Sequence, residues 1–308
     1  MNGKGPSSAV PDGYPLRERP SDVVGLGRPS ASARGSELLG KKLGVFRLES
    51  VLGQGRMGIV FLAHDEALLR PTAVKLLSWN IPQAARQNPE TWFLAEARSM
   101  ALINHPNVVQ IYVVAKHRGR CYIAMEYVPG PSAHTWVAQK GPLSPERATT
   151  VLAQAASALQ AAHDAGVVHG DLKPENLIVG PNGTKLSDFG MARRLSDEKA
   201  AFPMRTGTPF YTAPEIWRGD ATSHASDIYA LGVSYFYLLT GHAPLRGNDI
   251  SSLRAAHLEG AVPDAEAFVT DLPPGCGHII RRCMAKAARD RYPSAELLGA
   301  DAMSVLRK

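Results

Sequence analysis

The chain has 308 residues, 44% of them hydrophobic and 20% charged, close to the globular norm of about 45–50% and about 25%, so wholesale disorder, collagen-like sequence and coiled coil are excluded. At roughly 150 residues per domain, this length allows two domain-sized units or one two-lobed body. The net charge of +6 is split: residues 1–42 carry 7 Lys/Arg against 4 Asp/Glu, and the remaining excess of 27 over 24 is too small a bias to argue for nucleic acid.

Residues 1–40 contain 7 Gly, 5 Pro and 6 Ser with almost no apolar periodicity, which predicts a disordered basic tail over 1–42. Its first 30 residues lack the apolar core of a secretory signal. From Val45 onward the pattern changes. Val45, Phe46, Leu48, Val51 and Leu52 lead into a glycine cluster, followed by the apolar runs Ile59–Ala63 and Thr72–Leu77, and these read as short strands separated by turns. Asn88-Pro89-Glu90 supplies an N-cap, a proline at the first helical position and an acid in the first turn, opening a helix to about Ile103. Two more strand-like runs follow, Val108–Ala115 and Cys121–Val128. After Pro131 the periodicity turns helical. Ser144-Pro145-Glu146 starts a helix whose apolar residues recur at three and four, and Gly166 stops it. Further helices are predicted around 225–240, 249–258, 275–286 and 294–306. The fold class is therefore α+β: a β-rich N-terminal lobe with one helix (43–128), then an α-rich lobe (129–308).

The most apolar run, Ile228–Leu239, falls short of the roughly 18–20 residues a spanning helix needs and reads as a buried helix. Cys121, Cys276 and Cys283 are an odd number without CxxC spacing, which points to reduced structural thiols and a cytoplasmic setting. Cys276 and Cys283 are expected in the core, and His163 and His257 on helix surfaces.

Three segments carry chemistry. Gly53-Gln54-Gly55-Arg56-Met57-Gly58-Ile59-Val60 matches GxGxxGxV, a weak signal alone. A dinucleotide-binding fingerprint would open a helix and find an acid about 20 residues on. Here the glycines sit between two strands and that window holds Ala73 and Lys75, so a flap whose backbone N–H groups approach phosphates fits better. Lys75 ends Thr72-Ala73-Val74-Lys75, a lysine on an apolar strand that wants a partner. Glu96, with Phe93 and Met100 beside it at helical spacing, is turned inward and is the candidate. The deciding segment is Val168-His169-Gly170-Asp171-Leu172-Lys173-Pro174-Glu175-Asn176, with Asp188-Phe189-Gly190 twelve residues after the Asn. Asp171 can orient a hydroxyl and accept its proton, Lys173 can neutralise a moving phosphoryl group, and Asn176 and Asp188 offer hard oxygen ligands to Mg²⁺.

With these motifs in order, residues 43–305 resemble the eukaryotic-like (Hanks-type) protein kinases, most closely the bacterial Ser/Thr branch. The resemblance implies a two-lobed protein kinase fold and an enzyme that uses ATP with Mg²⁺ or Mn²⁺. In that reading Gly53, Gly55 and Gly58 cover the phosphates, with Leu52 beside them. Val60, Ala73 and Ile178 sandwich adenine, and Lys75 holds the α and β phosphates and pairs with Glu96. Met125 is the gatekeeper, and the backbone of Glu126 and Val128 faces adenine. Asp171, Lys173, Asn176 and Lys75 are the catalytic set, with Asn176 and Asp188 the metal ligands. Ala213-Pro214-Glu215 ends the activation segment, Glu215 pairs with Arg291, and Asp227 fixes the catalytic-loop backbone; these roles are structural. The partners implied are proteins with Ser/Thr acceptors, and autophosphorylation is expected. Homodimerisation through the N-lobe, which occurs among family members, is a further partnership the resemblance allows. Some relatives continue into a membrane anchor, and a tethered parent stays open.

One departure matters. The family usually has Arg before the catalytic Asp, and this chain has Gly170. That Arg receives the activation-loop phosphate in the family, so its loss predicts a kinase not strictly dependent on phosphorylation of Ser196, Thr206, Thr208 or Thr212. Thr208 is expected to contact Asp171 and Lys173. His-Gly-Asp also resembles the loop of small-molecule kinases such as the aminoglycoside and choline kinases, which Lys173 and the Glu215, Asp227 and Arg291 set oppose. A pseudokinase scaffold is the other alternative; its usual sign is loss of Lys75, Asp171, Asn176 or Asp188, and all four are present. Ser132, where basophilic relatives often carry an acid, argues against strong Arg-directed specificity although Glu175 remains.

Overall fold

Alternating apolar positions build a six-stranded antiparallel sheet from the N-terminal part of the chain, in the order β1-β2-β3-β4-β6-β5. The strands are β1 (Lys42–Leu43), β2 (Phe46–Gln54), β3 (Gly58–Asp65), β4 (Arg70–Leu77), β5 (Ile111–His117) and β6 (Arg120–Glu126). The computed structural model describes residues 35–55, 58–77, 94, 97–189, 193–194 and 209–307.

Because side chains alternate along a strand, the register divides the sheet into two faces. Lys75 lies opposite Val60 and Ile123, and Ala73 opposite Leu62 and Met125. Val60, Ala73, Lys75 and Met125 therefore share one face, which meets the C-terminal lobe. Phe61, Val74, Leu76, Tyr122 and Ala124 occupy the other, where they close a separate small core with Leu43, Phe46 and Leu48. Phe46 and Tyr122 meet edge-on at 6.0 Å, a geometry worth about 0.5–1.5 kcal/mol beyond area burial.

Three expectations about the N-terminal lobe need correction. A 3-10 turn at Ser36–Leu38 and Lys42, the first residue of β1, lie inside the 1–42 stretch that composition assigns to the tail. Val108 and Val109 are buried like strand residues, but they bond to the C-terminal lobe: Val108 bridges Leu186, and Val109 N–H donates to the Leu186 carbonyl at 2.9 Å. Strand β5 consequently starts at Ile111. Strand β6 stops at Glu126, leaving Val128 in the connection between lobes. The predicted helix start at Asn88-Pro89-Glu90 lies outside the described residues, while 97–101 is helical with Ala97 and Met100 buried.

The second lobe is helical: α1 (Ala133–Lys140), α2 (Pro145–Asp164), α3 (Pro214–Arg218), α4 (His224–Thr240), α5 (Ile250–Glu259), α6 (Pro274–Cys283) and α7 (Ala295–Leu306). Their starts are chemically marked. Ser132, Ser144 and Ser294 cap α1, α2 and α7 through their hydroxyls, and Ser223/Ser226 and Asp249/Ser252 form reciprocal capping boxes on α4 and α5. Helix α4 is buried from Ser226 to Thr240, as its unbroken apolar run predicts, and α2 and α6 pack against it. No helix among the described residues is long and apolar enough to cross a membrane. Two short pieces of sheet, the hairpin β8 (Leu177–Gly180) with β9 (Gly183–Leu186) and the pair β7 (Val167–Val168) with β10 (Arg193–Arg194), line the boundary between the lobes. They hold the loops that carry Asp171 and Asp188.

Candidate active site

The cleft between the lobes gathers side chains from opposite ends of the chain. Lys75, 6% exposed on β4, donates from Nζ to Asp188 Oδ1 at 2.8 Å, a pair spanning 113 residues. Glu96, the partner expected for Lys75, lies outside the described residues. Asp188 adopts φ +60°, a left-handed conformation uncommon for a non-glycine residue and one that clusters at functional sites. Its seat in the cleft raises the carboxyl pKa, but the charge and hydrogen bond of Lys75 outweigh this, helped by Lys173 and His169, and hold it well below the usual carboxylate range.

The segment from His169 to Asn176 is locked by short-range bonds. Asp171 N–H donates to His169 Nδ1 at 3.3 Å, and the Asn176 amide donates to the Asp171 carbonyl at 2.9 Å. Lys173 Nζ meets Asp171 Oδ2 at 2.5 Å. The Asn176 carbonyl accepts from both Ser187 N–H (2.9 Å) and Ser187 Oγ (3.1 Å), which ties this loop to the residue before Asp188. The Asn176 Nδ2 donor is engaged within its own loop, so the side-chain oxygen is what it has to offer a cation. Together with the Asp188 carboxylate this is the hard-oxygen chemistry Mg²⁺ takes.

Gly170 sits at φ +76°, a region that favours glycine, where the family's arginine would carry backbone strain of order 1–2 kcal/mol. Its N–H donates to Asp227 Oδ1 at 2.9 Å and His169 N–H to Asp227 Oδ2 at 2.9 Å. Asp227 is 1% exposed. Burial alone would raise its pKa, but the hydrogen bond from His163 and the neighbouring imidazoles keep it lowered. A carboxylate on α4 therefore holds the backbone just before Asp171.

The roof of the cleft is the β2–β3 turn. Gly53 pairs with Val60, and Gly55 N–H donates to the Gly58 carbonyl at 2.9 Å. A Cβ on Gly58 would lie 2.2 Å from the Leu76 carbonyl oxygen, whereas Cβ atoms on Gly53 or Gly55 would meet nothing within 4 Å. Leu52 is exposed beside them. Arg56 and Met57 lie outside the described residues. Val60, Ala73 and Met125 line the sheet side; Ile178 comes from β8, bridged to Ser132. Glu126 turns its carboxylate away from the cleft to Lys185 Nζ (2.9 Å) and Gln110 N–H (3.2 Å), while Val128 is buried just beyond it.

A protein kinase domain model matches residues 46–302. The chain belongs to the protein kinase family. It is 36% identical to the serine/threonine-protein kinase PrkC of Bacillus subtilis over 270 residues, covering 86% of this chain and 41% of PrkC. It is 35% identical to the serine/threonine-protein kinase PknE of Mycobacterium bovis, covering 87% and 47%, and 34% identical to pkn3 of Myxococcus xanthus, covering 87% and 51%. This kinase chain thus spans about half the length of the curated relatives it matches.

Away from the cleft, Arg291 makes a bidentate pair with Glu215, Nη1–Oε1 and Nη2–Oε2 both at 2.7 Å. It ties the start of α3, which carries Glu215, to the loop before α7. Ser196, Thr206 and Thr208 lie outside the described residues, as does the Thr208 contact expected with Asp171 and Lys173. Two histidines are misplaced by sequence reasoning. His163 is 6% exposed, with Nε2 3.0 Å from Asp227 Oδ2, and His257 is fully buried, with Nδ1 2.8 Å from the Tyr229 hydroxyl. Helical spacing marks the apolar stripe of α2 and α5 but is blind to a polar residue that faces a neighbouring helix. Cys276 and Cys283 are buried, as expected. His169, quoted in the deciding segment but given no role there, is fully buried and packs on Phe189 at 4.7 Å between ring centroids. Its place two residues before Asp171 was the available signal.

Proposed function

We propose that this chain is a Ser/Thr protein kinase that transfers the γ-phosphoryl group of ATP to protein serine and threonine hydroxyls, its own among them. The observation that carries the reading is the joining of Lys75 to Asp188 across the cleft above a catalytic loop clamped by Asp227.

Asp171 orients the acceptor hydroxyl and takes its proton as the oxygen attacks the γ-phosphorus, the bond to the β–γ bridging oxygen breaks, and ADP leaves. Lys173, beside Asp171, offsets charge on the moving phosphoryl group. Lys75 positions the α and β phosphates, and Asn176 and Asp188 would hold Mg²⁺, which when bound neutralises phosphate charge. Most of the acceleration comes from positioning and preorganised electrostatics. Leu52, Gly53, Gly55 and Gly58 cover the phosphates. Val60, Ala73, Met125 and Ile178, with the backbone of Glu126 and Val128, form the adenine slot, and Glu96 is the partner that completes the Lys75 site.

Gly170 removes the guanidinium that would receive an activation-loop phosphate, so activity does not strictly require that modification. Three buried, unbridged cysteines suit a reducing compartment, and the cytoplasm is the setting we infer.

Labelled ATP and Mg²⁺, followed by mass-spectrometric mapping, test these points together. Phosphoserine or phosphothreonine on the chain or on a generic protein is expected, absent in Asp171→Asn and retained in Thr206→Ala. ATP binding without transfer would make the chain a pseudokinase. Loss of activity in Thr206→Ala with rescue by a phosphomimic would overturn the independence from loop phosphorylation.

A further inference from the structure

The Asp227 clamp has an outer support that the mechanism above does not use. His224 opens α4, and its ring lies face to face with that of His163, with centroids 3.9 Å apart and planes inclined by 13°. His163, in turn, places Nε2 at 3.0 Å from Asp227 Oδ2, and Asp227 accepts the N–H groups of His169 and Gly170. A continuous path therefore runs from a partly exposed ring on α4, through a buried ring on α2, to the backbone of the residue before Asp171.

We propose that His224 is a positioning residue for phosphoryl transfer, holding His163 against Asp227 and making the catalytic-loop geometry sensitive to acid. The stack restricts rotation of the His163 ring, so that Nε2 stays on the carboxylate instead of turning away. His224 Nε2 is buried with no hydrogen-bond partner among the described residues. Protonating this ring would bury an N–H without an acceptor, at the N-terminus of a helix, where positive charge is disfavoured. Burial first, then the His163 ring, keep the His224 pKa below its ordinary value, against the pull of Asp227 and Asp164.

The charged groups around the stack come from three elements. Asp164 ends α2, Asp227 lies on α4 itself, and Arg291, neutralised by Glu215, reaches the Ala225 carbonyl at 2.9 Å. A proton on His224 adds a cation that competes with His163 for Asp227, and Asp227 is the only carboxylate among these that also holds the catalytic loop in the described residues. Acid would then loosen the Gly170 amide without touching the nucleotide slot.

The inference rests on the kinase reading, so its test has one arm that requires no catalysis. His224→Phe keeps an aromatic face beside His163 and cannot titrate; His224→Ala removes the face. Hydrogen exchange at the His169 and Gly170 amides, followed at pH 8, should accelerate by about tenfold or more in His224→Ala and recover in His224→Phe. In steady-state assays, His224→Ala should lower kcat by about tenfold with the KM for ATP within about twofold. The ratio of kcat at pH 5, below the ordinary imidazole range, to kcat at pH 8 should be at least about threefold higher in His224→Phe than in the wild type. Unchanged amide exchange in His224→Ala, or superimposable pH profiles for His224→Phe and wild type, overturns the proposal. If no transfer is detected in any form, the kinase reading fails while the exchange arm still decides the support of Asp227. Should the alanine chain not fold, the phenylalanine chain alone decides: its His169 and Gly170 amides, corrected for intrinsic exchange, should keep at pH 5 the protection that the wild type loses there, and equal loss in both overturns the proposal.

Discussion

Lys75 is a residue whose neighbours assign it two tasks. It sits on an apolar face opposite Val60 and Ile123, where an ammonium without a counter-charge would be costly, and Asp188 supplies that charge. In the proposed function the same ammonium also positions the α and β phosphates. Replacing Lys75 with Met keeps the stem packed on the sheet and removes the charge. Transfer is expected to fall by about 10²-fold or more, as when one preorganised donor is lost, while ATP affinity changes by less than about tenfold. Single-turnover kinetics beside equilibrium nucleotide binding measures the two separately, and an unchanged transfer rate would refute the assignment. Asp171, Lys173, Asn176 and Asp188 stand out together in the sequence because they fall within 18 residues, and Lys75 stands out separately as a charge on an apolar strand. The Lys75–Asp188 contact is not, because nothing local links two residues 113 positions apart.

Among the elements, α4 is the one on which the second lobe is organised. It carries Asp227 near its start, and midway along it Gly232 comes against α6, where a built Cβ would stand 2.4 Å from the Cys283 Cβ. The two helices can approach this closely only because the glycine has no side chain. Gly232→Ala is expected to destabilise the domain by about 1–3 kcal/mol through overpacking, despite the better helix propensity of alanine. Urea unfolding monitored by fluorescence checks this, and a variant as stable as wild type would mean that α6 can shift freely. The existence of α4 is written in its apolar run and its Ser223 cap, but its contact with α6 depends on two glycine and cysteine positions that periodicity does not rank. Strand β5 teaches the same lesson in reverse. Val108 and Val109 have the composition of a strand, and the hydrogen-bond partner that decides their fate, Leu186, belongs to the other lobe.

At the level of the whole molecule, burial of ionisable groups sets how stability responds to pH. His257 is enclosed by α4 and α5, and burial first, then the charge of Lys286, push its pKa down to about 3. Lys286 is itself pushed down to about 8 by burial and by Arg291, while Nζ donates to the carbonyls of Ala256 and His257. The unfolded chain would protonate His257 near its ordinary 6.5, so between about 6.5 and 3 the unfolded state binds the extra proton. Stability from this group is complete above 6.5 and is lost as the pH falls toward 3. At pH 5 the loss amounts to about 2 kcal/mol. Unfolding free energies at pH 7 and pH 5 should therefore differ less in His257→Gln than in the wild type; equal differences would show that this imidazole is not held neutral.

What the amino-acid sequence determined by itself was the kind of protein and the inventory of its chemistry. Strand and helix periods, helix caps and the short motifs around Gly53, Asp171 and Asp188 are local properties, set by backbone sterics and by the residue types each motif needs. Tertiary structure decided which of these groups touch. It brought Lys75 onto Asp188, sealed His163 and His257 beneath helices whose own sequences look outward-facing there, and stacked His224 on His163 behind the catalytic loop. Those outcomes depend on how elements far apart in the chain pack against one another, and a polar residue carries no periodic mark of the neighbour that will cover it.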